Sequence, residues 1–205
     1  MIESIFEFLK EIDTQLFLFF NGLHVSWLDE PMHYMSRKYN WVPFYAFLLV
    51  LVFIKYRVKG LLVMLFVLVM ITLTDQISDM LKYATARYRP SHNPELEDVI
   101  HLVRDRRGGR FGFVSAHAAN SFALALFLIH LLRDRFRWIV PLMLIWAGLK
   151  AYNRLYLGAH YPSDILGGIF LGLLVALMMI ELWKYVNRRF FPEDPAISTN
   201  VKNNR

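Results

Sequence analysis

The chain has 205 residues, 23 Lys+Arg against 17 Asp+Glu, a formal charge of +6 and a pI near 9.6. It contains no cysteine, which excludes disulfides, thiolate metal sites and a cysteine nucleophile, so hydrolytic chemistry must rest on His, Ser, Asp, Glu or Lys. Hydrophobic residues make up 56% of it, above the roughly 45–50% apolar share of soluble domains, and that excess turns the basic charge toward a membrane or a phosphorylated substrate rather than nucleic acid.

In chain order, residues 1–40 come first. Ile2, Ile5, Phe6 and Leu9 recur at helical spacing among Glu3, Glu7, Lys10, Glu11 and Asp13, which predicts an amphipathic helix lying in the membrane interface. The segment is too acidic at its start for a secretory signal peptide. Asn21-Gly22 marks a turn, and Asp29-Glu30-Pro31 a second short helix start.

Residues 41–187 form the predicted membrane core. Stretches free of Asp, Glu, Lys and Arg occupy residues 39–54, 60–74, 111–132, 138–149 and 165–180. A crossing needs about 20 apolar residues, and only the third stretch reaches that length unaided. Lys55, Lys59, Lys150 and Lys184 can extend the others by snorkelling, and Trp41, Trp138 and Trp183 sit where interfacial aromatics belong. The expected fold class is therefore all-α, an integral membrane bundle of about five spans preceded by amphipathic helices. Residues 188–205 are expected to be a polar tail.

Five crossings put the basic joints 55–59 and 133–137 on one side with the tail, as cytoplasmic joints should be. The other side carries Lys82, Arg87, Arg89, Arg104, Arg106, Arg107, Arg110 and Arg154. If these hold an anion they drop out of the topology rule, and the site then faces away from the cytosol across an inner membrane.

Three distant segments on that side hold the unusual polar residues. Asp75, Asp79 and Lys82 share one helical stripe, which fits either a neutralised ion cluster or a lysine offered to a ligand. Arg89 lies seven residues beyond Lys82, and Pro90 biases it out of the α region; a lysine and an arginine so placed can clamp one phosphate. Ser115 is at an N-cap position after the loop 108–112, where free backbone N–H groups of Ala116 and its neighbours suit an anion. His117 follows in the first turn. Asn153-Arg154, then His160 and Asp164, supply an anion binder, a nucleophile or base, and a carboxylate one helical turn from the imidazole. One histidine and one carboxylate among cations make a thin metal-ligand set, so no metal and no cofactor are expected. Gly168-x3-Gly172 predicts a close helix contact, within the bundle or between protomers, and oligomeric state stays open.

These residues spell Lys-x6-Arg-Pro at Lys82, Arg89 and Pro90, Val-Ser-Ala-His at Val114 to His117, and Asn-Arg-x5-His-x3-Asp at Asn153, Arg154, His160 and Asp164. The ordered set resembles the type 2 phosphatidic acid phosphatase superfamily, whose pattern is Lys-x6-Arg-Pro, Pro-Ser-Gly-His and Ser-Arg-x5-His-x3-Asp. Val114, Ala116 and Asn153 depart from it.

The resemblance covers roughly residues 75–180 and implies a metal-independent phosphohydrolase embedded in membrane lipid. It implies His160 as the nucleophile forming a phosphohistidine, Asp164 orienting its ring, and His117 as acid and then base. Lys82, Arg89, Ser115, the Ala116 N–H and Arg154 would hold the phosphoryl oxygens. The implied substrate is a lipid phosphate, with undecaprenyl diphosphate ranked first for an outward-facing site and phosphatidate-type or lipid A phosphates behind it. The rivals are a lipid phosphotransferase and a non-catalytic lipid-binding scaffold.

Overall fold

A computed structural model describes residues 2–105 and 107–191, apart from the side chains of Ile2, Glu3 and Phe6. Arg106 and the tail from 192 onward therefore lie outside the described residues. Every long element is helical: α1 (Ile2–Gly22), α2 (Ser26–Ser36), α3 (Val42–Tyr56), α4 (Gly60–Thr85), α5 (Ala116–Leu132), α6 (Ile139–Tyr156) and α7 (Pro162–Phe190).

Helices α3 to α7 run up and down through one bundle. Two segments are long and apolar enough to cross a membrane, Lys38–Thr85, which holds α3 and α4, and Pro162–Phe190; α5 is apolar but shorter. Their outer faces stay apolar: Leu61, Leu65 and Leu68 on α4, Leu144 and Ile145 on α6, and Leu166, Phe170 and Leu177 on α7 are all exposed. Exposed apolar surface of that extent is stable only against lipid.

Helix α5 is the central post, packed on α3, α4, α6 and α7. Ala118, Ala119, Ala123, Phe127, Leu131 and Leu132 disappear completely or nearly so into the core. Small residues let α7 come close. A Cβ on Gly168 would fall 2.4 Å from the Ser115 carbonyl oxygen, and one on Gly172 2.2 Å from that of Ala119. The Gly-x3-Gly spacing thus serves contact inside the bundle.

The N-terminal helices are docked on this core by polar residues. On α1 it is Asp13, Phe17 and Asn21, four residues apart, that are buried, whereas Ile5, Leu9, Ile12, Leu16 and Phe19 form an exposed apolar stripe. Asn21 donates to the carbonyls of Leu155 and Tyr156 at 3.2 and 2.9 Å and accepts from the His101 N–H at 2.8 Å. It thereby satisfies carbonyls that the end of α6 leaves open. On α2, the Met32 carbonyl accepts from Asn153 at 2.7 Å, and that of Met35 from Lys150 at 3.3 Å. Helix α7 continues to Phe190, past the expected start of the polar tail at 188.

Candidate active site

The site lies where α4, α5, α6 and α7 end on one side of the bundle. Ala86 closes α4 in the left-handed region, its N–H bonded to the Lys82 carbonyl at 2.9 Å. The chain then extends. The Arg89 N–H donates to the Arg110 carbonyl at 3.0 Å and the Gly112 N–H to that of Arg87 at 2.9 Å, forming one isolated antiparallel bridge between Tyr88 and Phe111. The residue before Pro90 is held extended at φ −69°, ψ 157°, as proline requires. Arg89 Nε donates to the Phe111 carbonyl at 3.0 Å, which fixes the guanidinium.

Ser115 caps α5, its hydroxyl oxygen 3.4 Å from the Ala118 N–H, while its own N–H donates to the Asp164 carbonyl at 2.9 Å. Ala116 and His117 open the helix, and the His117 side chain is exposed. Helix α7 starts at Pro162, where a missing N–H costs nothing. Asp164 turns back to accept the Tyr161 N–H at 3.0 Å.

A cavity of about 140 Å³ opens between these ends, lined in part by Arg89, Gly108, His117, Arg154 and Ala159. His160 follows Ala159 and is buried, with Nδ1 3.4 Å from Asp164 Oδ2. Asp164 is completely buried. A Cβ at position 112 would come within 2.8 Å of its Oδ2, so the close approach of this loop to the carboxylate requires Gly112. Arg154 is buried and donates to the Asn153 side-chain oxygen. Burial, reinforced by the charges of Arg89 and Arg154 and opposed by Asp164, pushes the His160 imidazole down to about 4. It is neutral at pH 7, with a lone pair available.

Arg89, His117 and Arg154 therefore share one space, and His160, next in the chain to the lining residue Ala159, is buried with Asp164 beside it. Ser115 and Ala116 do not line the cavity; they stand at the positive end of α5, one turn or less from His117. Lys82 does not line the cavity; it pairs with Asp79 at 2.8 Å. Asp75 accepts instead from Asn120 at 2.7 Å. Asn153 points its amide away from the cavity, to α2.

Four contributors were not among the sequence-predicted site residues: Arg87, counted only as one of the cations on this side, Asp13, His33 and Ser36. Arg87 donates to Asp164 Oδ1 at 3.0 Å and to Asp13 Oδ2 at 2.5 Å. His33 and Ser36 of α2 form part of the cavity wall. Arg87 had a signal: it lies two residues before Arg89, on the same face of an extended segment. Asp13 had a weaker one, standing off the Glu3, Glu7, Glu11 stripe. His33 and Ser36 had none.

Residues 60–188 match the model of the PAP2 superfamily. The chain is 45% identical to a lipid A 4′-phosphatase of Bacteroides thetaiotaomicron over 81% of this chain and 74% of that protein. It is 35% identical to a lipid A 4′-phosphatase of Porphyromonas gingivalis over 90% of this chain and 78% of that one. A crystal structure of a transmembrane PAP2-type phosphatidylglycerolphosphate phosphatase from Bacillus subtilis superposes with a TM-score of 0.67 at 22% identity, covering 89% of each chain. The all-helical membrane bundle and the ordered motifs meet in one assignment: the chain belongs to the PAP2 superfamily. It is a membrane phosphatase.

Proposed function

We propose that this protein hydrolyses a phosphate monoester of a lipid, releasing phosphate, with the 4′-phosphate of a lipid A-type molecule as the best-supported substrate. The similarity to two lipid A 4′-phosphatases, each over most of its length, moves that substrate ahead of undecaprenyl diphosphate. The observation that carries the chemistry is a small cavity lined by His117, Arg89, Arg107 and Arg154, with the buried His160–Asp164 pair following directly on the lining residue Ala159.

His160 attacks phosphorus through Nε2, the nitrogen remote from Asp164. The N–P bond forms as the P–O bond to the lipid breaks. His117 gives its proton to the leaving oxygen, then takes one from water, which attacks the phosphohistidine and frees phosphate. Arg89 and Arg154 neutralise the equatorial oxygens, and the free N–H groups at the start of α5 add fixed dipoles. Ser115 positions that helix end. Lys82, held by Asp79, supplies charge from the periphery rather than a direct contact.

Arg57, Lys59, Arg133, Arg135, Arg137, Arg188 and Arg189 all belong to the opposite end of the bundle. With the cations of the site side set aside as anion binders, these basic joints support an inner-membrane orientation with the site on the extracytoplasmic face. The test is phosphate release from lipid A by detergent-purified protein in EDTA, with undecaprenyl diphosphate and phosphatidate as comparators. Release from lipid A and its loss in His160→Ala are expected. Full activity in that variant removes the nucleophile assignment, and transfer of label to a second lipid makes the enzyme a phosphotransferase.

A further inference from the structure

Helix α1 lies outside the matched family segment, yet one of its side chains reaches the support of the catalytic carboxylate. Asp13 is almost wholly buried. Its Oδ1 accepts from the Ser163 N–H at 2.8 Å, and its Oδ2 accepts from the Ser163 hydroxyl at 2.5 Å and from Arg87 Nη2 at 2.5 Å. A carboxylate on one helix thus caps the first turn of another, where the α7 dipole favours negative charge.

Arg87 continues the chain. Its Nη1 donates to the Ser163 hydroxyl at 2.5 Å and to Asp164 Oδ1 at 3.0 Å, and its guanidinium lies 4.4 Å from the centre of the Tyr161 ring. The other oxygen of Asp164 holds the Tyr161 N–H and faces His160 Nδ1. Both oxygens are therefore engaged, and the carboxylate plane is fixed. The planar fork of arginine can grip two carboxylates at once; a lysine cannot.

We propose that Asp13 and Arg87 are positioning residues for the reaction: through Asp164 they set the orientation and the basicity of the His160 ring. The inference rests on the reading of His160 as nucleophile. Charge balance gives it a signature. Arg87 shares the negative charge of Asp164 and so withholds part of it from the imidazole; Asp13 shares the positive charge of Arg87 and so returns part of it. The other groups facing His160 are Arg89 from the loop, Arg154 from α6 and His117 from α5, with Tyr161 beside it, bonded to Asn93 at 3.2 Å. These stay constant in the variants below.

The experiment measures kcat, KM and the pH dependence of kcat/KM for phosphate release from lipid A micelles by the full-length protein. Arg87→Gln should move the acid limb to higher pH, and Asp13→Asn should move it to lower pH. Both should lower kcat roughly 10- to 100-fold, the size of loss seen when the outer partners of metal-bound histidines are removed, with KM changed less than about threefold. Arg87→Lys should leave the limb in place and recover part of kcat. Asn21→Ala is the control: it weakens α1 docking without touching Arg87 or Asp164, and should keep the wild-type limb.

Limbs that do not move, limbs that move in the same direction, or an Asn21→Ala profile matching Asp13→Asn would reduce both residues to a docking role. An active His160→Ala would instead sink the underlying mechanism, so the two failures are distinct.

Discussion

The seam between α5 and α7 and the groove between α3, α4 and α5 are made of similar apolar side chains and packed in opposite ways. At the seam, Gly168 and Gly172 bring two backbones into contact, and the Ser115 N–H bonds across to the Asp164 carbonyl at 2.9 Å. In the groove, Leu48, Leu49 and Val52 stand off from Val63, Met64 and Val67, leaving a cavity of about 480 Å³. His117 rides on one side of the seam, and His160 and Asp164 at the other. The molecule is tight where displacing an imidazole matters and loose where the only requirement is to be apolar.

The largest expected effect breaks the chemistry at the seam and leaves its packing alone. His160→Ala should cost on the order of 10⁴-fold or more in kcat, read as phosphate release, while the helical fold and detergent solubility persist. A loss of only a fewfold would mean that the tight end of the seam is structural and that the nucleophile lies elsewhere.

Next comes acid. The folded His160 stays neutral down to about 4, whereas in the unfolded chain it titrates near 6.5. Between those values the unfolded state binds the extra proton, so stability is full above about pH 6.5 and falls as pH drops toward 4. For this one group the total is up to roughly 3 kcal/mol. The thermal midpoint of the wild type should therefore fall relative to that of His160→Gln across this window. Hydrogen exchange should rise first at the starts of α5 and α7, with α3 and α4 unchanged. A constant difference between the two proteins would show that the seam does not bury a neutral imidazole.

The backbone contact itself is tested by Gly172→Ala. A Cβ there lies 2.2 Å from the Ala119 oxygen, so α7 must move away. Overpacking of this kind costs about 1–3 kcal/mol, or several degrees in thermal midpoint. Activity should fall more steeply than stability, because misplacing reacting groups by about 1 Å is worth up to 10²-fold. Equal loss in both would show that the seam transmits no geometry to the site.

How much of this was readable beforehand follows the same division. Arg89, His117, Arg154, His160 and Asp164 fall in short ordered motifs, and the resemblance those motifs carry was enough to group them. Lys82 was ambiguous for a physical reason: the helical spacing that offers it to a phosphate also offers it to Asp79, and that pair forms. Asn153 stands where the resembled pattern has serine, and its amide is drawn to the Met32 carbonyl of a helix 121 residues away. Asp13 and Arg87 meet across 74 residues, and Asp13 and Ser163 across 150. Local pattern carries no information about such pairings. The amphipathic reading of α1 likewise found an apolar stripe, of which Ile5 and Leu9 stay exposed, while the contacts that dock the helix come from a polar-apolar-polar series.

The smallest effect belongs to the groove, and it is the counterpart that gives the seam results their meaning. Leu49 lines the groove and is half-buried, so Leu49→Phe adds volume where space already exists. The added ring stays apolar, meets no backbone and disturbs no polar partner, leaving none of the usual sources of a large destabilisation. A change within about 0.5 kcal/mol is expected, with kcat altered less than about twofold. Thermal unfolding and phosphate release, measured beside Gly172→Ala, check it. If one methyl at the seam and a whole ring in the groove cost the same, the two regions are packed alike and the division of labour between them fails.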